Sequence, residues 1–86
     1  MNPQYAAEII AKSRADFGNI IASWLAEGKG EHALKVIGSY KRAEELKLIP
    51  ESEADAETRA QAEDELAYLK EMEGQVRKAL EMKEAA

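Results

Sequence analysis

Cysteine is absent from this 86-residue chain, so neither a disulfide framework nor a thiolate metal site can staple it. A chain of this length buries only about 60–65% of its unfolded surface, which leaves a thin stability margin that self-association would widen. The lack of cysteine also fits a reducing compartment. Proline and glycine are scarce, at two and five residues, while Ala, Glu, Lys, Leu and Ile dominate. That balance favours helix and leaves little material for strands, so an all-α fold is expected. No apolar run approaches the ~18 residues needed to cross a bilayer. The opening Met1-Asn2-Pro3-Gln4 has neither a basic region nor an uninterrupted apolar stretch, and a cytoplasmic, unprocessed chain with no membrane role is the expectation.

Charge is present but unevenly placed. Residues 1–50 carry seven Lys/Arg against six Asp/Glu, whereas residues 51–86 carry five against eleven, giving +1 and −6 within the total of −5. The C-terminal part is therefore an acidic arm, suited to a basic protein surface and repelled by nucleic acid.

Three helices can be bounded from residue chemistry, all within a single domain spanning 1–86. Asn2 is a good N-cap, Pro3 suits the first helical position and Gly28 follows the last periodic residues, so the first helix runs from about Pro3 to Glu27. Tyr5, Ile9, Ile10, Phe17, Ile20, Ile21, Trp24 and Leu25 form its broad apolar face, with Lys12, Arg14, Asp16 and Glu27 elsewhere. As the most hydrophobic element it is the expected core. Gly18 inside it implies a close helix approach or a bend.

The short connector Gly28-Lys29-Gly30 returns the chain antiparallel, giving a helical hairpin over residues 1–49. The second helix spans about Glu31 to Lys47 and turns Ala33, Val36, Ile37, Tyr40 and Ala43 inward. Ile9, Phe17, Ile20, Ile21 and Trp24 are expected to pack on Val36, Ile37 and Tyr40. Pro50 disfavours helical geometry at Ile49 and marks a boundary.

Ser52 followed three residues later by Asp55 resembles a capping box, so residues 50–86 read as a long acidic third helix beginning near Ser52 or Glu53 and ending near Lys83. Its apolar positions are Ala62, Leu66, Leu69, Met72, Val76, Ala79 and Leu80, of which all but Met72 and Ala79 keep a 4, 3, 7, 4 rhythm. That is a coiled-coil-like seam, interrupted at Glu73, which stands four residues before Arg77 and reads as a solvated or intrahelical partner. The third helix either folds back to complete a three-helix bundle or extends to pair with another chain; because a helix this long overhangs a shorter neighbour, pairing is preferred, with Ala62, Leu66, Leu69, Met72, Val76 and Leu80 as the expected interface of a homodimer.

Reactive constellations are missing. His32 has Glu31 beside it, but adjacent helical residues point about 100° apart and nothing completes a nucleophile triad, so no catalytic residue is assigned. The carboxylates Glu51, Glu53, Asp55, Glu57, Glu63, Asp64 and Glu65 lack the central glycine and ligand alternation of a calcium loop, and read as a solvated face without metal. Gly28-Lys29-Gly30 lacks the full phosphate-loop pattern and is a turn; no cofactor is expected. Lys35, Lys41, Arg42 and Lys47 could contact phosphates if the second helix lay along a groove, the alternative reading as a nucleic-acid-binding regulator. Glu31, Glu44 and Glu45 interrupt that face.

The expected function is a non-enzymatic protein–protein interaction protein, an adaptor, assembly factor or inhibitor, acting through the third-helix seam or the first-helix face. Short, acidic, cysteine-free helical chains of this kind resemble bacterial and bacteriophage accessory proteins in type, with no shared motif behind the likeness.

Overall fold

The computed structural model describes residues 3–85, with side chains to residue 83; the expected cap Asn2 lies outside the described residues. Three helices follow in order, α1 (Pro3–Ala26), α2 (Gly30–Leu46) and α3 (Ala56–Ala85), and the described residues contain no strand. The all-α expectation and the three-helix count hold.

Gly28 ends α1 as its position suggests. It adopts φ 78°, the left-handed region open to glycine at no steric cost. The Gly28 N–H donates to the Leu25 carbonyl at 3.2 Å and the Lys29 N–H to the Trp24 carbonyl at 2.7 Å. This is the paired bonding of a Schellman motif, and it turns the chain directly into α2.

The packing order differs from the expected one. The closest pair is α2 with α3, not α1 with α2. Gly30 lies against the Leu80 side chain, where an added Cβ would collide, and Lys41 reaches Glu73 further along, so α2 and α3 run antiparallel. Close approach is needed at Gly30 rather than at Gly18, whose only neighbour in reach is the flexible end of Met72. α1 also runs antiparallel to α2, with Trp24 edge-on to His32 and Phe17 edge-on to Tyr40 at ring-centroid distances of 4.6 and 5.5 Å.

Among the described residues the buried apolar ones are Ile21 from α1, Ala33 and Ile37 from α2, and Ala62, Leu66, Leu69 and Val76 from α3. The most hydrophobic helix thus supplies a single buried residue. Phe17, Trp24 and Leu25 pack partly against the core, but Ile9 and Ile20 are exposed, contrary to the expected staple. Molecular shape agrees: the principal extents are 46 × 30 × 15 Å and the radius of gyration is 14.9 Å. A compact chain of this length would have a radius near 12 Å. The long dimension matches the ~45 Å of a 30-residue helix such as α3.

Helix α3 starts later than expected. Its cap is Asp55, whose Oδ1 accepts the Thr58 N–H at 2.8 Å, while Ser52 closes a local turn by accepting the Ala54 N–H at 3.2 Å. Each side chain thus caps a separate feature instead of sharing one box. The connector between α2 and α3 is gathered by Arg59. Its guanidinium donates to the carbonyls of Ser52 at 2.8 Å, Ala54 at 3.1 Å, and Leu48 and Ile49 at 3.4 Å. The one base among the acids of residues 51–65 therefore holds the loop that sets α3 back along α2.

Replacing Arg59 by Ala should lower unfolding free energy in a urea titration by about 2 kcal/mol, the scale of lost charge-assisted bonds. Arg59→Lys should restore only part, because an ammonium cannot span four carbonyls. The Thr58 backbone N–H holds the Asp55 carboxyl below its ordinary value of 3.8. A lowered folded-state pKa adds stability that is present above the unfolded value and is lost as pH falls through the folded one. Asp55→Asn, which can still cap, should remove that acid-side component from melts run between neutral and strongly acid pH.

Candidate interaction surface on the first helix

Ala62, Leu66, Leu69 and Val76 are 1–7% exposed within the single chain, and Met72 and Leu80 pack against the same core. The expected dimer seam is therefore enclosed by α2 and α1. Its heptad-like spacing marks the buried stripe of a bundle helix, and an exposed seam for a second chain is not there. The length argument fails because α1 runs parallel to α3 and covers part of what α2 leaves, as Arg14 beside Asp64 and Gly18 beside Met72 indicate.

The four candidate phosphate contacts do not form one basic stripe. Lys41 Nζ donates to both Glu73 oxygens at 3.2 and 3.3 Å, in a part-buried interhelical bridge. Glu73, expected to be solvated or paired within its helix, is thus chiefly a partner of α2; Arg77 stands farther off at 3.9 Å. Lys47 pairs with Glu44 at 3.2 Å. Lys35 and Arg42 remain exposed, seven residues apart on one edge, with Lys41 turned about 100° from Arg42.

The acids are divided as well. Asp55 caps α3, and Asp64 and Glu65 accept from Arg14 Nη2 at 2.8 and 3.0 Å. Glu51, Glu53, Glu57 and Glu63 stay exposed. Among the described residues no group of three or more His, Cys, Asp or Glu is placed to hold a metal, and no helix is long and apolar enough to cross a membrane. His32 is exposed at its ring contact with Trp24.

Arg14 is the anchor that sequence reasoning missed. Its guanidinium carbon lies 4.8 Å from the Tyr68 ring centroid, and the Tyr68 hydroxyl donates to the Arg14 carbonyl at 3.1 Å. The bonds to Asp64 and Glu65 raise the Arg14 pKa, and burial raises that of the Tyr68 phenol, with the Glu65 charge adding to it. The signal was present: Ile10, Arg14, Phe17 and Ile21 are spaced 4, 3 and 4 apart, which puts Arg14 inside the apolar stripe.

Outside the stripe that carries Arg14, Phe17, Ile21, Trp24 and Leu25, much of the apolar surface of α1 is uncovered. Tyr5, Ile9, Ile10 and Ile20 are 41–56% exposed, and Tyr40 of α2 is 52% exposed beside Phe17. Ile9, Ile10, Phe17, Tyr40, Tyr68 and Leu69 line a mainly apolar groove of about 260 Å³ between α1 and the α2–α3 pair. A second cavity of about 320 Å³ adjoins it through Ile10 and Arg14, with Glu44, Lys47 and Asp64 on its wall. Such an arrangement can receive apolar side chains of a partner helix. The chain matches no known protein-family model, and no curated protein or solved structure is similar to it.

Burial separates the two apolar faces. Leu69→Glu with Val76→Glu should abolish cooperative urea unfolding and far-ultraviolet helicity, since each buries an unpaired charge. At a protein concentration low enough that the chain is monomeric, Ile9→Glu with Ile20→Glu should leave the unfolding free energy within about 0.5 kcal/mol per site. A folded Leu69→Glu, Val76→Glu variant would contradict the packing described.

Proposed function

We propose that this chain is a non-enzymatic interaction protein of the adaptor, assembly-factor or inhibitor kind, and that the uncovered face of α1 is its docking surface. One observation carries the reading: the helix richest in large apolar residues buries only Ile21 and leaves Tyr5, Ile9, Ile10 and Ile20 in solvent. An apolar cluster of this breadth beside a groove is typical of helix-in-groove recognition, where partner side chains at helical spacing enter the pocket. Self-association, expected from the sequence through α3, moves with it to α1. The proposed setting is the cytoplasm, which suits a cysteine-free chain. The nucleic-acid reading is not advanced, because Lys41 and Lys47 are engaged by Glu73 and Glu44.

A photo-crosslinking amino acid at Ile20, compared with the same residue at exposed Lys70 of α3, tests the surface. Illumination in cells that express the protein should yield adducts with another polypeptide, of either the same or a different chain, from position 20 and none from position 70. Adducts from neither position, or from position 70 alone, would overturn the reading.

A further inference from the structure

From the arrangement of charge and apolar surface along α1 we infer that a second copy of this chain docks there, its α1 antiparallel to the first across a two-fold axis near residue 14. The inference rests on the docking role of α1 and names the partner.

At 100° per residue, Tyr5, Ile9, Lys12, Asp16 and Ile20 fall within one sector of roughly 80°, centred about 140° away from buried Ile21. All five are open to solvent: Tyr5, Ile9 and Ile20 are 44–56% exposed, and the Lys12 and Asp16 side chains are 78% and 65% exposed. Along the axis the order is apolar, basic, acidic, apolar. Residue 14 lies midway between Lys12 and Asp16, with Ile9 five residues before it and Ile20 six after.

An isologous interface requires a patch complementary to itself after a two-fold rotation. Rotation about position 14 sets Lys12 of each copy beside Asp16 of the other, twice. It also brings Ile9 to Ile20 and Tyr5 to the neighbourhood of Trp24. The pattern would lose this property if both central residues had the same sign, or if Ile9 or Ile20 were polar. Within one helix the pair stands at 3.9 Å, with the base N-terminal to the acid, the weaker order. It therefore adds little to α1 alone, whereas across the axis it selects antiparallel register, as complementary charge does at interfaces.

The experiment is sedimentation equilibrium on the full chain over about a hundredfold concentration range, with circular dichroism confirming that every variant is folded. Wild type should show a concentration-dependent dimer, and Ile9→Glu with Ile20→Glu should sediment as a monomer throughout. Lys12→Glu alone and Asp16→Lys alone should each weaken self-association by about tenfold, because both reciprocal contacts become repulsive. An equimolar mixture of those two single variants should recover wild-type affinity, since each chain then meets its complement. A monomeric wild type, a dimer that survives Ile9→Glu with Ile20→Glu, or a mixture no better than its components overturns the inference. A monomeric wild type that still crosslinks a different polypeptide from position 20 removes the second copy while leaving the α1 docking role. No adduct from position 20 removes both.

Discussion

Helix α3 lies against α2 so closely that Leu80 occupies the space where a Cβ on Gly30 would stand, and Ala33 and Ala62 are fully enclosed. The small residues let the larger ones, Ile37, Leu66, Leu69 and Val76, fill the remaining volume. Everything else depends on this contact. The α3 stripe is covered by it, and Ile21 of α1 has a site only because the α2–α3 pair forms one. A narrow α2 face that is itself directed at α3 cannot also cover an α1 face extending from Tyr5 round to Leu25. The exposed apolar surface is the geometric remainder of a well-packed pair.

The charged residues serve that same geometry. Arg59 closes the α2–α3 connector by bonding its carbonyls, Lys41 and Glu73 bridge the pair along its length, and Arg14 fixes α1 against Asp64, Glu65 and Tyr68. In each case a side chain that looks like ordinary surface charge in the sequence is partly covered and has a specified partner. The acidic arm is less free than its composition implies, since Asp55, Asp64, Glu65 and Glu73 all have structural bonds.

Local chemistry made the helices legible. Gly28 as a left-handed C-terminal stop, Pro50 as a break and the 3.6-residue periodicity mark features within a few residues of one another, and there the sequence reading and the structure agree. The start of α3 was misplaced because Ser52 and Asp55 are each competent caps, and only the course of the connector decides between them. Partnership was not legible. Periodicity reveals that Leu66, Leu69, Val76 and Leu80 form a stripe, but the same stripe suits a second chain or a neighbouring helix. Hydropathy ranks α1 as the core, yet burial depends on what volume lies opposite, and Ile9 faces an open groove while Ile20 stays about half exposed. Of the candidate surface, its residues were legible in the sequence and its exposure was not.

A half-covered α1 links recognition to stability. Arg14 and Ile21 hold the middle and C-terminal parts of the helix, while Tyr5, Ile9 and Ile10, N-terminal to Arg14, are 41–56% exposed. A helix segment without tertiary cover is marginal in water, since a few turns do not repay their nucleation. Any partner that covers those residues supplies the missing packing and so favours the folded chain by mass action. In a chain this small, with no disulfide and a core drawn mainly from two helices, that contribution is large relative to the total. An occupant of that surface would therefore stabilise the part of the chain that packs least.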